Sequence, residues 1–228
     1  MPNKFYITTS IPYATSVPHV GHILDPLIAD VLSRYHRMVG NKTRFLVGTD
    51  EHGAKIVRKA EEVGKTPQEL VDENSAKYKE MHKLLNIKWN DFIRTSDQQR
   101  HWPGAQKMWG ELKEAGDVYW KKYEGLYCVG HEAFITEKDL VNEKCRDHQQ
   151  KPEVINEENW FFRLSKYSKQ IEEAITSDQM KVSPESRKNE ILSFIRGGLE
   201  DISISRPRKD IPWGVPVPDD PDQVMYVW

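Results

Sequence analysis

Residues Ser10–His22 read SIPYATSVPHVGH, which sets His19 and His22 on either side of a Val20-Gly21 pair, just after a Pro12-Tyr13 turn. The preceding FYITT, residues 5–9, alternates as a core strand does. From Gly21 onward, Leu24, Leu27, Ile28, Val31, Leu32 and Tyr35 recur at helical spacing, and Gly40 supplies a C-terminal stop. TRFLVGTDEHG then gives a second apolar strand, Phe45–Val47, ending in a polar loop. Strand, helix, strand in so short a span is a βαβ unit, so the predicted fold class is α/β with a parallel sheet and right-handed crossovers.

Ligands of open parallel sheets bind beyond the carboxyl ends of the strands, and residues 10–22 occupy such an end. The helix that follows offers free amides and a dipole that favours anions. His19 and His22, three apart, face one side of a first helical turn, and Gly21 lets a ligand approach the backbone. Two imidazoles there suit phosphate oxygens, because histidine donates a hydrogen bond without a permanent, heavily hydrated cation. The plainer alternative is a helix start that happens to contain histidines.

Further along, Thr66, Pro67 and Glu69 form a helix-opening signature: cap, first-turn proline and capping-box acid. Another helix is expected from about Asp97 to Ala115, stopped by Gly116. Residues 117–151 are aromatic and hairpin-like and hold both cysteines. There, Cys128-x2-His131 and Cys145-x2-His148 have the two-plus-two spacing of a structural zinc knuckle; the alternative is two buried thiols and two surface histidines. FFRLSKYSKQIEEAI reads as helical, a helix capped by Ser183 is expected to run through Ile195, and QVMYVW reads as a strand. The charge is balanced, 33 basic against 35 acidic residues for a formal net charge of -2, so nucleic-acid binding has to be argued from motifs. No stretch is long and apolar enough to span a bilayer, and the reading is of a cytoplasmic protein with reduced cysteines.

With these motifs in view, PHVGH resembles the HIGH signature of class I aminoacyl-tRNA synthetases. SIPYATSVPHVGH followed by FLVGTDEHG is similar to methionyl-tRNA synthetases in particular. YEGLYCVGHEAFITEKDL, NWFFRLSKY, NEILSFIRGGLEDISISRP and MYVW match that family in the same order, so the resemblance covers essentially the whole chain. It implies a Rossmann-type core interrupted by a small connective insertion. Residues 1–116 would be the first half of the core, 117–200 the insertion with its zinc knuckle at about 124–150, and 201–228 the start of the second half.

The implied activity is ATP-dependent activation of methionine to methionyl-adenylate and transfer to tRNA(Met), with magnesium accompanying ATP and zinc as a structural ion. His19, Gly21 and His22 match the ATP-holding positions, and the two histidines the catalytic ones. Ile11, Tyr13 and Trp228 match walls of the methionine pocket. Asp50 matches the carboxylate that receives the substrate ammonium, and Arg206 the arginine that pairs with it; Asp50 as a helix cap and Arg206 as a surface arginine are the plainer alternatives. The family usually carries cysteine where His131 stands, so the ligand set here would be Cys2His2. No counterpart of the family's K-M-S-K-S loop or anticodon-reading domain occurs in these residues. The expected partner is therefore the carboxyl half of the same synthetase, with little turnover by this chain alone. Two further readings are a truncated, zinc-stapled paralogue that binds RNA or protein without catalysis, and a small nucleotidyltransferase; the length of residues 117–200 argues against the second.

Overall fold

The structure, a computed structural model, describes residues 3–131, 133–135 and 137–225, so Trp228 lies outside the described residues. The chain divides into two compact units: Met1–Lys107 with Ile211–Val215, and Met108–Asp210 with Pro216–Trp228.

In the first unit β1 (Lys4–Thr8), α1 (Leu24–Met38) and β2 (Lys42–Thr49) form the βαβ unit. β1 and β2 are parallel, in register from Lys4↔Lys42 to Thr8↔Leu46. Helices α2 (Ala54–Glu62) and α3 (Pro67–Leu84) lead to β3 (Asp91–Arg94), which runs parallel to β2 from Leu46↔Asp91 to Thr49↔Arg94. The order β1-β2-β3 makes β2 the central strand. Buried Ala29, Phe45, Val47, Tyr78, Ile87 and Phe92 form the core around it. At the start of α3, Thr66 and Glu69 exchange the reciprocal cap bonds that their sequence spacing predicts, with Pro67 in the first turn.

Helix α1 departs from expectation at its start. It begins at Leu24, after a separate 3₁₀ turn at Val20–His22, and Gly40 follows with a φ of +85°. Its apolar stripe does not face the sheet. Leu24, Ile28, Val31 and Tyr35 are exposed, whereas Pro26, Ala29, Asp30 and Ser33 are buried. Small residues let the helix lie close to the strands, and the buried Asp30 is matched by Arg34 at 2.6 Å and by the Lys88 amide at 3.1 Å.

Helix α4 (Trp102–Glu114) starts later than Asp97 because Asp97 Oδ1 accepts from the Gln99 and Arg100 amides and holds a turn there. In the second unit β4 (Val118–Cys128) is followed by β5 (Ala133–Ile135), the short pair β6 (Leu140–Val141) and β7 (Lys144–Cys145), and then β8 (Glu153–Phe162). β4 and β8 make a long antiparallel ladder from Val118↔Phe162 to Tyr127↔Glu153. The helical reading of FFRLSKY is corrected: Phe161 and Phe162 end β8, Leu164–Tyr167 is a 3₁₀ turn, and α5 covers only Ser168–Thr176. Both phenylalanines are held in the ladder by Tyr119 and Val118 on one side and by Ser203 and Ile202 on the other. Helix α6 (Glu185–Arg196) has Pro184, not Ser183, at its N-cap, with no side-chain cap bond. β9 (Ile202–Ser203), β10 (Ser205–Pro207), β11 (Val215–Val217) and β12 (Asp220–Met225) complete the described chain; β12 contains the described part of QVMYVW.

Gly48 lies inside β2 because its neighbours leave no room for a side chain. A Cβ there would stand 2.3 Å from the Ile93 carbonyl oxygen, 2.7 Å from Ile93 Cγ2 and 3.2 Å from Ile11 Cγ2. Gly48→Ala is expected to cost about 1–3 kcal/mol. Urea unfolding reads this directly, and an unchanged midpoint would contradict the close packing of β2 on β3.

Candidate active site and metal centre

The turn that carries the two histidines is closed by their own side chains. His19 is the N-cap of Val20–His22, and its Nδ1 accepts from the Gly21 amide at 3.1 Å. His22 Nδ1 in turn accepts from the His19 amide at 3.1 Å. A backbone N–H can only donate, so both Nδ1 atoms are unprotonated and each neutral ring carries its hydrogen on Nε2. The rings lie 3.8 Å apart at 37°. Burial, and then the neighbouring His19, lower the pKa of His22 and favour this neutral, directional donor. Gly21 also has a local role: a Cβ there would lie 2.9 Å from His19 Cε1 and push the ring off the turn.

Anchoring continues below the turn. The amide and hydroxyl of Ser10 donate to Asp25 Oδ2 at 2.9 and 2.6 Å, tying the exit of β1 to the first turn of α1. A cavity of about 70 Å³ opens there, lined among others by Ser10, Gly21, His22, Asp25, Tyr78 and His82. His19 is exposed and His22 half-buried, so neither ring is packed away among aliphatic side chains.

Asp50 sits at the carboxyl end of the central strand. Its amide donates to the Pro12 carbonyl and its carbonyl accepts from the Ala14 amide, both at 2.9 Å, which forms a parallel bridge with Tyr13. Tyr13 and Asp50 are thus brought side by side, with the Lys55 ammonium 5.7 Å from the Tyr13 ring centre. Ile11 approaches β2 at Gly48. Arg206 is a residue of the second unit, buried, with Nη1 donating to Ser203 Oγ at 2.6 Å and to the Ser205 carbonyl at 2.7 Å.

In the second unit Cys128, His131, Cys145 and His148 offer four ligand atoms within 4.8 Å of one another. Cys145 Sγ lies 3.5 Å from His131 Nδ1 and 3.6 Å from His148 Nδ1, and Cys128 Sγ lies 3.6 Å from His148 Nδ1. Tetrahedral zinc with ordinary Zn–S and Zn–N bonds places sulfur and nitrogen about 3.5 Å apart, so the donor set fits that ion. Burial raises the Cys145 thiol, but donors from His148, Cys128 and the Asp147 amide outweigh it and bring its pKa to about 7. His131 Nε2 meets Asp147 Oδ2 at 3.0 Å, which leaves Nδ1 as its ligand atom. A Cβ at Gly130 would strike the His148 ring at 2.3 Å, so the loop depends on that glycine.

A family model described as "tRNA synthetases class I (M)" matches residues 5–140 and 135–228. The chain belongs to this family. It is 42% identical to the methionine–tRNA ligase of Thermotoga maritima over 99% of this chain and 36% of that relative. It is 43% identical to the methionine–tRNA ligase of Clostridium perfringens over 98% of this chain and 34% of that relative. The chain thus spans about a third of the length of these relatives. A solved structure of Mycobacterium tuberculosis methionyl-tRNA synthetase bound by methionyl-adenylate superimposes with a TM-score of 0.92 at 37% identity, over 99% of this chain and 45% of that one. The free form of the same enzyme gives a TM-score of 0.80 at 35% identity.

Within this synthetase fold, Glu51 and His52, to which the resemblance gives no chemistry beyond contact with the adenosine, and Asp147, which carried no reading in the sequence, stand out. Glu51 is fully buried, His52 nearly so, and Asp147 backs a candidate metal ligand. His52 packs edge-on to Trp213 with ring centres 5.6 Å apart, and its Nε2 has no hydrogen-bond partner among the described residues. Burial, with His101 adding to it, pushes the His52 imidazole down from 6.5 to about 4. A folded-state value below the unfolded one means stability that is complete above pH 6.5 and lost as the pH falls towards 4. Between pH 7 and 4 the wild-type chain should lose about 3 kcal/mol more than His52→Gln in urea unfolding. Equal pH dependence of the two would contradict the burial of a neutral ring.

Proposed function

We propose that this chain is the amino-terminal part of a methionine–tRNA ligase, which joins methionine to ATP as methionyl-adenylate and then passes the methionyl group to tRNA(Met) in the cytoplasm. The observation that carries the reading is the histidine turn at the carboxyl end of a parallel sheet, where backbone bonds to both Nδ1 atoms leave the ring hydrogens on Nε2 and the Tyr78 hydroxyl lies 3.5 Å from Nε2 of His22.

In the first step a methionine carboxylate oxygen attacks the α-phosphorus of ATP. The bond to the bridging oxygen breaks, and pyrophosphate leaves with its electron pair. Charge grows on the non-bridging α-phosphate oxygens, and the Nε2–H donors of His19 and His22 meet it without reorganising. Asp50, clamped at the end of β2, receives the methionine ammonium, and Ile11 and Tyr13 flank the side chain. The resemblance to the family also assigns Arg206 and Trp228 to methionine binding. Magnesium enters with ATP and offsets phosphate charge. In the second step a ribose hydroxyl of the tRNA attacks the methionyl carbonyl and releases AMP.

The exposed apolar face of α1 and the position of β1 at the sheet edge support a role for the remainder of the synthetase, which would cover both. The full-length enzyme should catalyse methionine-dependent ATP–pyrophosphate exchange, and His22→Ala should lower its rate about 10²–10³-fold. Exchange driven by leucine or isoleucine instead, or unaffected by His22→Ala, would overturn the assignment.

We also propose that Cys128, His131, Cys145 and His148 hold one structural zinc ion, which reinforces the small apolar cluster of Cys128, Ile135 and Cys145. Protein purified without chelators should contain about one zinc per chain. Asp147→Ala should weaken zinc binding about 10–100-fold in competition with a chromogenic chelator. A metal content near zero would remove this reading.

A further inference from the structure

Glu51 follows the proposed ammonium-binding Asp50 and is wholly buried, an unusual place for a carboxylate. Its surroundings are built to receive it. Thr49 Oγ1 and Arg94 Nε donate to Oε1 at 2.6 and 2.8 Å, and Ser96 Oγ donates to Oε2. Arg94 is itself held at its other end by Asp72 of α3 at 2.6 Å. The Glu51 main chain is fixed as well: its amide donates to Thr95 Oγ1 at 2.8 Å, and its carbonyl accepts from the Trp213 indole.

These bonds bear on Asp50 because of what lies on its other side. The Asp50 amide and carbonyl are stitched to the exit of β1, at Pro12 and Ala14. Glu51 stitches the next peptide to the exit of β3, at Arg94–Ser96. Thr95 Oγ1, which accepts from the Glu51 amide, lies 3.5 Å from Asp50 Oδ1. The peptide joining Asp50 to Glu51 is therefore gripped from both neighbouring strands, and only the Glu51 side depends on a side-chain carboxylate.

We propose that Glu51 is a positioning residue for methionine selection: it clamps the end of β2 so that the Asp50 carboxylate meets the substrate α-ammonium. The inference rests on the reading of Asp50 given above. Glu51 touches no substrate in this scheme. Its effect falls on methionine and not on ATP, because the histidine turn is held by its own side chains.

Glu51→Gln retains the shape and an acceptor for Thr49 and Arg94, while Ser96 Oγ can turn to accept from the new amide. The test is ATP–pyrophosphate exchange by the full-length synthetase carrying Glu51→Gln, Asp50→Asn or both. Glu51→Gln is expected to raise KM for methionine about tenfold and to leave KM for ATP within about twofold. In the Asp50→Asn background it should add nothing further, since there is no charge left to aim. Unchanged methionine KM in Glu51→Gln, equal rises for methionine and ATP, or effects that multiply with Asp50→Asn would each overturn the inference. If Asp50→Asn alone leaves methionine KM unchanged, the reading of Asp50 fails instead.

Discussion

The site depends on a reciprocal pair of hydrogen bonds between two imidazoles and the backbone of one short turn. Gly21 donates to the His19 ring, and His19 donates to the His22 ring. Two otherwise unpaired amides at the helix start are satisfied by side chains, as in an N-terminal capping box. The same bonds settle which nitrogen of each ring is protonated. The cap that shapes the turn therefore also leaves the hydrogen of each ring on Nε2.

The central strand provides the second fixed element. β2 is flanked by parallel strands on both sides, so the residues leaving its carboxyl end can be held from left and right. Asp50 bonds to the exit of β1, and Glu51 to the exit of β3. Gly48 allows the approach of Ile93 and Ile11 that brings these exits together. In the second unit the proposed metal site would play the corresponding part, beside an apolar cluster that among the described residues comprises Cys128, Ile135 and Cys145 with Leu126 and Leu140 packed against it.

What was legible in the sequence was local. The Thr66–Glu69 cap, the βαβ order and the two Cys-x2-His pairs are written in spacings of a few residues, and the structure forms each of them; the histidine turn was legible too, though it is a separate 3₁₀ turn and not the first turn of α1. What was not legible depends on distant partners. Periodicity identified the apolar stripe of α1 but could not say that the sheet takes the opposite face, where Ala29 and Ser33 allow close packing. FFRLSKY has helical spacing, yet Phe161 and Phe162 pair with residues about 40 positions away on both sides. Glu51 looked like one more charge in a polar loop, because its partners Arg94 and Ser96 arrive only when β3 docks. Asp147 gains meaning only once His131 presents Nδ1 to the Cys145 sulfur.

The most direct measurement is the tautomeric state of His19 and His22 by long-range ¹H–¹⁵N NMR, at neutral pH and on titration with magnesium–ATP. Both rings should be neutral with hydrogen on Nε2 in the free protein, and their Nε2 signals should move when the nucleotide is added. Hydrogen on Nδ1 of either ring, or Nε2 signals indifferent to saturating nucleotide, would contradict a phosphate site built by this turn.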